Sequence, residues 1–122
     1  MNVVWHGNYV RYFEQARCAL LDRIDYNYLQ MKESGYVWPV VELRIKFVRP
    51  AIFKQEIVAT ATLAEYENRI KIKYLITDHD SGEKLTEGFS VQVAVDGQSG
   101  EMCFESPQIL FDKVAQALCD SA

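Results

Sequence analysis

No run of basic residues, no long apolar stretch and no pair of cysteines at metal-binding spacing occurs in these 122 residues. Lys plus Arg number 13 against 17 Asp plus Glu, a formal charge of -4. A chain of this balance has no basic footprint for a phosphate backbone, so nucleic acid is not expected as a partner. The longest apolar runs span a few residues, far short of the roughly 20 that a membrane span requires, and no basic stretch followed by an apolar segment opens the chain. A cytoplasmic protein without a membrane span is the expectation. The three cysteines, Cys18, Cys103 and Cys119, are an odd set without C-x-x-C spacing. They argue against a disulfide framework or a zinc site and are read as buried free thiols in a reducing compartment. Three scattered prolines and six glycines leave no linker, low-complexity stretch or repeat, so residues 1–122 read as one domain.

What is present is an ordinary globular composition, 49% hydrophobic and 25% charged. From Asn8 to Lys32, Val10, Phe13, Ala16 or Arg17, Leu20, Ile24 and Tyr28 recur at steps of three and four, the stripe of an amphipathic helix. A break is expected near Asp25 and a glycine-capped end at Gly35. Beyond Gly35 the period becomes two. Val41, Leu43, Ile45 and Phe47 alternate with Glu42, Arg44, Lys46 and Val48 up to Pro50. Ile57–Leu63 and Ile70–Ile76 form a predicted hairpin around Glu67-Asn68, and a polar turn at Asp78–Gly82 leads to a long strand over Leu85–Val95. A short strand is expected at Met102–Phe104. A closing helix runs from Pro107 to about Cys119, with Ile109, Leu110, Val114, Ala117 and Leu118 on its apolar side. One long helix covering four long antiparallel strands is an α+β architecture.

The opening run Val3-Val4-Trp5-His6-Gly7-Asn8-Tyr9, continued by Phe13-Glu14-Gln15-Ala16-Arg17, is more specific than the fold pattern. It resembles the acyl-CoA thioesterases of the hot-dog fold, in particular the branch of 4-hydroxybenzoyl-CoA thioesterase and the Tol-Pal-associated thioesterases. Members carry an aspartate, then a V-V-[YW]-H-x-x-Y run and an F-E-x-A-R segment in the central helix. The resemblance implies an antiparallel sheet wrapped around that helix, and a homodimer or homotetramer with sites formed across the subunit boundary. In the family pattern the catalytic aspartate and the first strand would lie upstream of Met1. The first strand is therefore expected to be missing from an N-terminally truncated chain.

Thioester hydrolysis needs a carboxylate that attacks or positions water, and donors where negative charge develops on the carbonyl oxygen. A lone histidine is ordinarily structural, but the motif around His6 makes it a candidate to orient the carbonyl or handle a proton. Backbone N–H groups near Gly7, Asn8 and Tyr9 are natural oxyanion donors at a helix start. Tyr9 matches the motif tyrosine and either lines the acyl pocket or packs in the core. Glu14 is the candidate carboxylate on the helix, the alternative being an ion pair with Arg17 at i, i+3. Val4, Trp5 and Asn8 are expected to meet the substrate, and Arg49-Pro50 resembles the strand end beside the pantetheine path. Arg49, Lys54, Arg69, Lys71 and Lys73 are the cations that could meet the phosphates of coenzyme A, solvated strand charges being the commoner case. Asp22 and Asp25 are read as solvated helix residues and His79 as a surface-loop residue. Ser90, outside any G-x-S-x-G context, is read as a packing residue.

No metal and no cofactor is expected, coenzyme A being part of the substrate, and no glycine-rich phosphate loop is present. The implied activity is hydrolysis of an acyl-CoA to a free acid and coenzyme A. The alternative is a hot-dog domain that binds acyl-CoA or an acyl carrier protein without cleaving it. A hydratase would need an Asp/His pair on the helix that the sequence lacks. A carrier-protein partner would call for a basic docking patch, which an acidic chain does not obviously offer.

Overall fold

The computed structural model describes residues 6–48 and 56–120, with the side chains of residues 6–9 and 120 left aside. Its first helix, α1 (His6–Arg23), ends where the sequence marks a break, at Asp25, whose φ of 56° is left-handed. Asn27 restarts the helix as α2 (Tyr28–Glu33). Its side chain accepts the Gln30 N–H at 3.1 Å and the Gln30 side chain accepts the Asn27 N–H at 2.8 Å, a reciprocal capping box. Gly35, at φ 91°, closes that helix as expected.

Six strands follow: β1 (Tyr36–Val37), β2 (Val40–Phe47), β3 (Ile57–Glu65), β4 (Ile70–Asp78), β5 (Lys84–Gln92) and β6 (Val95–Asp96). The four long ones form an antiparallel sheet in the order β2-β5-β4-β3. The hairpin β3–β4 pairs Ala61 with Tyr74 and Leu63 with Ile72. Strand β4, with a partner on each side, buries Ile70, Ile72, Tyr74 and Ile76 on the inner face, each at most 3% exposed. At roughly 1.5–3 kcal/mol per fully buried side chain, this strand is a principal source of stability.

Helix α1 lies on that inner face, nearest β3 and β4, and buries Phe13, Arg17 and Leu21, with Ile24 buried just beyond its end. Gly88 of β5 makes the approach possible: a Cβ there would stand 2.9 Å from Phe13 Cε2 and 2.2 Å from the Arg44 carbonyl oxygen. Helix α3 (Gln108–Asp120) packs beside α1, with Leu110 and Val114 buried, Phe111 edge-on to Tyr66 and Lys113 bonded to Asp25 at 2.9 Å.

Several expectations are corrected. The strand expected over Leu85–Val95 stops at Gln92, because Gln92 turns its side-chain amide onto the Trp38 carbonyl (2.8 Å) and the Val93 N–H bonds the Pro39 carbonyl. The chain resumes as β6, which pairs with β1 in a separate two-stranded sheet. The expected strand at Met102–Phe104 is a single bridge from Met102 to Val95. The long helix does not cover the sheet alone, since α3 shares the task. Leu118 of α3 is 65% exposed, and Leu43 and Phe47 on the apolar side of β2 are nearly half exposed, because α1 lies over β3 and β4 rather than over this edge. Asp22 and Asp25 are exposed as expected, but Asp25 lies beyond the end of α1, where it pairs with Lys113, and Asp22 accepts a bond from Asn27. Cys18 and Cys119 are free but exposed, and Cys103 is half-buried, contrary to the expectation of buried thiols.

Candidate functional site

The start of α1 carries the expected backbone placement. His6, Gly7, Asn8 and Tyr9 form its first turn, where N–H groups lack intrahelical acceptors and the positive end of the helix dipole lies. No acidic residue occupies that turn to compete for those donors. Val4, Trp5, Arg49 and Pro50 lie outside the described residues, as does Lys54, and the side chains of His6, Asn8 and Tyr9 lie outside them too.

A groove of about 210 Å³ begins one turn further along α1. Val10, Phe13, Glu14 and Arg17, one face of the helix at i, i+3, i+4 and i+7, form one wall. Val40 and Leu43 of β2 form the other, and Tyr74 of β4 the floor. The wall is therefore mostly apolar with one carboxylate, an arrangement suited to an acyl group. Glu14 is exposed at its rim. It makes no ion pair with Arg17, so the expected i, i+3 pairing is not formed.

Arg17 instead turns inward. Its Nη2 donates to the Tyr28 hydroxyl at 2.9 Å, it lines the groove together with Tyr74, and its Nε is buried without a partner among the described residues. The Tyr74 and Ser90 hydroxyls share a 2.6 Å hydrogen bond, which accounts for Ser90 as a buried packing residue. Burial pushes the Tyr74 phenol above its ordinary pKa, with the Ser90 bond and the Arg17 charge pulling the other way. Sequence reasoning missed Arg17 and Tyr74 as site residues. The available signal was an arginine at a stripe position, seven residues after Val10.

The outer face of the sheet holds a second, wider groove of about 670 Å³. Arg44 and Lys46 of β2, Lys73 of β4 and Lys84 of β5 line it, and Lys71 lies over the Phe89 ring at 4.6 Å. Glu42 and Glu87 are the facing carboxylates, paired with Arg44 and with Lys46 and Lys84 respectively. A basic face thus exists on an acidic chain, which corrects the expectation that none is offered. Lys71 and Lys73 belong to it, whereas Arg69 is engaged by Glu65 at 3.0 Å. His79, exposed in its loop as expected, places Nδ1 3.2 Å from Asp80 and 3.4 Å from Glu56. The ligand atoms of this exposed trio lie within 4.8 Å of one another. The Asp80 bond, with Glu56 assisting, holds the His79 pKa above the usual 6.5.

Comparison with known proteins bears on this geometry. The model of the thioesterase-like superfamily matches residues 1–118. YneP of Bacillus subtilis (strain 168), provisionally named an acyl-CoA thioesterase, is 25% identical over 99 residues, 81% of this chain and 72% of that protein. The hypothetical protein TT1821 from Thermus thermophilus superposes with a TM-score of 0.78 at 30% identity, covering 96% of this chain and 88% of that one. A 1,4-dihydroxy-2-naphthoyl-CoA thioesterase from Synechocystis has the same fold, with a TM-score of 0.79 at 19% identity over 98% of this chain and 85% of its own. No helix among the described residues is long and apolar enough to cross a membrane.

Proposed function

Taking as premise that this chain belongs to the thioesterase-like superfamily and has the hot-dog fold, we propose that it hydrolyses an acyl-CoA to a free carboxylic acid and coenzyme A. The observation that carries the reading is the superfamily match over residues 1–118, and the groove that begins at Val10, one turn along α1, gives that match a place to act.

The thioester carbonyl is placed at the first turn of α1, its oxygen accepting N–H groups of Gly7, Asn8 and Tyr9 as negative charge develops there. His6 orients the carbonyl or returns a proton to the departing thiolate, and Glu14, the carboxylate of the groove, takes the proton of the attacking water. A C–O bond forms, the C–S bond breaks, and the acid and the thiol leave. The motif, not their placement, assigns Tyr9, Val4 and Trp5 to the acyl part of the substrate and Arg49 and Pro50 to the pantetheine. No metal and no cofactor is required for this step.

The finer assignment is to the 4-hydroxybenzoyl-CoA and Tol-Pal-associated branch, on the strength of the Val3–Arg17 run, acting in the cytoplasm. Assembly as a homodimer or homotetramer is supported by β2, an edge of the sheet that exposes Val40, Val41, Leu43 and Phe47.

Thiol release from a panel of acyl-CoAs, read with a thiol-reactive chromophore, tests the proposal. Turnover by the wild type that falls roughly 100-fold in each of His6→Ala and Glu14→Ala is expected. Thermal stabilisation by acyl-CoA without thiol release would mark a binding domain instead, and full turnover in both variants would place the chemistry elsewhere.

A further inference from the structure

Arg17 is a buried cation. The residue is 8% exposed, yet no carboxylate is ion-paired with it among the described residues. Its hydrogen-bond partner is a phenol, Tyr28, which accepts a bond but carries no charge of its own. Arginine cannot shed its proton to escape burial, so its desolvation is offset only by an anion. Glu14, one turn away, stays at the rim of the groove and does not close the pair.

The guanidinium lies at the end of the groove that begins at Val10. From the first turn of α1, where the hydrolase reading places the thioester, the helix advances 1.5 Å per residue, and helical side chains lean back toward the N-terminus. The distance from carbonyl to guanidinium is therefore roughly 10 Å, the length of a medium chain. A planar guanidinium with an unfilled Nε presents a fork suited to a carboxylate.

We propose that Arg17 anchors a carboxylate at the far end of the acyl group, so that the preferred substrates are monothioesters of medium-length dicarboxylic acids with coenzyme A. This specificity rests on the hydrolase reading above, and Tyr28 positions the guanidinium for it.

The test compares suberyl-CoA with octanoyl-CoA, which differ at the chain end. The wild type is expected to favour suberyl-CoA in kcat/KM by roughly 10- to 100-fold, and Arg17→Gln to erase that preference while Arg17→Lys keeps part of it. Equal rates, or a preference for octanoyl-CoA, in the wild type overturn the proposal without touching the hydrolase reading, and so does a preference that survives Arg17→Gln. Should that variant not fold, Tyr28→Phe at a half-exposed position removes one partner of the guanidinium and lowers the preference severalfold. If neither thioester is cleaved, the hydrolase reading is decided by the wider acyl-CoA panel, and calorimetric binding of the two non-hydrolysable thioethers decides the anchor. Tighter binding of the carboxyl-ended analogue by the same factor upholds it, and equal binding overturns it.

Discussion

The ring of Phe13 in α1 lies stacked on the ring of Tyr74 in β4, centroids 4.6 Å apart and planes 10° from parallel. This contact joins the helix to the sheet and forms part of the lining of the acyl groove. Phe13→Ala removes a ring that is 2% exposed and leaves a cavity between the layers. A loss of about 3–5 kcal/mol is expected, read from denaturant unfolding at constant m. A loss below about 1 kcal/mol would mean the helix does not pack as described.

Gly88 answers to the same contact from the neighbouring strand. Its missing Cβ leaves room for both the Phe13 ring and the Arg44 carbonyl, and the latter is backbone that cannot swing aside. Gly88→Ala is expected to destabilise by about 1–3 kcal/mol, although alanine ordinarily suits a strand no worse than glycine. Thermal melts of the variant against the wild type check this, and an unchanged midpoint would contradict the close approach.

The restart of the helix at Asn27 depends on a side chain that satisfies a free N–H. Asn27→Ala is expected to cost about 1 kcal/mol, a few degrees in Tm, with Asn27→Ser retaining most of the wild-type stability. Equal losses in the alanine and serine variants would show that the cap is not the cause.

His79 titrates above the usual histidine value of 6.5, chiefly through its bond to Asp80 and then through the charge of Glu56. A raised pKa in the folded state means that folding favours the protonated ring. The contribution to stability is complete below 6.5 and disappears as pH rises through the raised value. An NMR titration, with His79→Gln assigning the signal against His6, is expected to give a midpoint above 6.5 that Asp80→Asn lowers. A midpoint at or below the usual value in the wild type would mean the trio does not form.

Much of the fold could be read locally. Period-two alternation identifies β2 to β5, because neighbouring side chains in a strand point to opposite faces, and the polar turn at Asp78–Gly82 lies between β4 and β5 as expected. The break at Asp25 was legible from the pattern of α1, and the glycine at position 35 from its place after the last helical residue. What escaped was set by distant partners. The end of β5 follows from Gln92 reaching Trp38, and Trp38 in turn donates to the Tyr26 hydroxyl at 3.1 Å. No rule acting on neighbours in sequence connects those three residues.

The candidate site divides along the same line. The run from Val3 to Arg17 determined by itself the family and the helix start, because a short motif carries its helix boundary and its candidate polar groups within one segment. Only the tertiary structure decided that Glu14 stays at the rim, that Arg17 goes inside to meet Tyr28 and Tyr74, and that Arg44, Lys46, Lys73 and Lys84 share a face. Those outcomes depend on strand order β2-β5-β4-β3 and on where α1 lies across it. Helix periodicity places position 17 on a buried stripe, but the groups it faces come from residues far along the chain, and their chemistry decides whether a buried charge finds a partner.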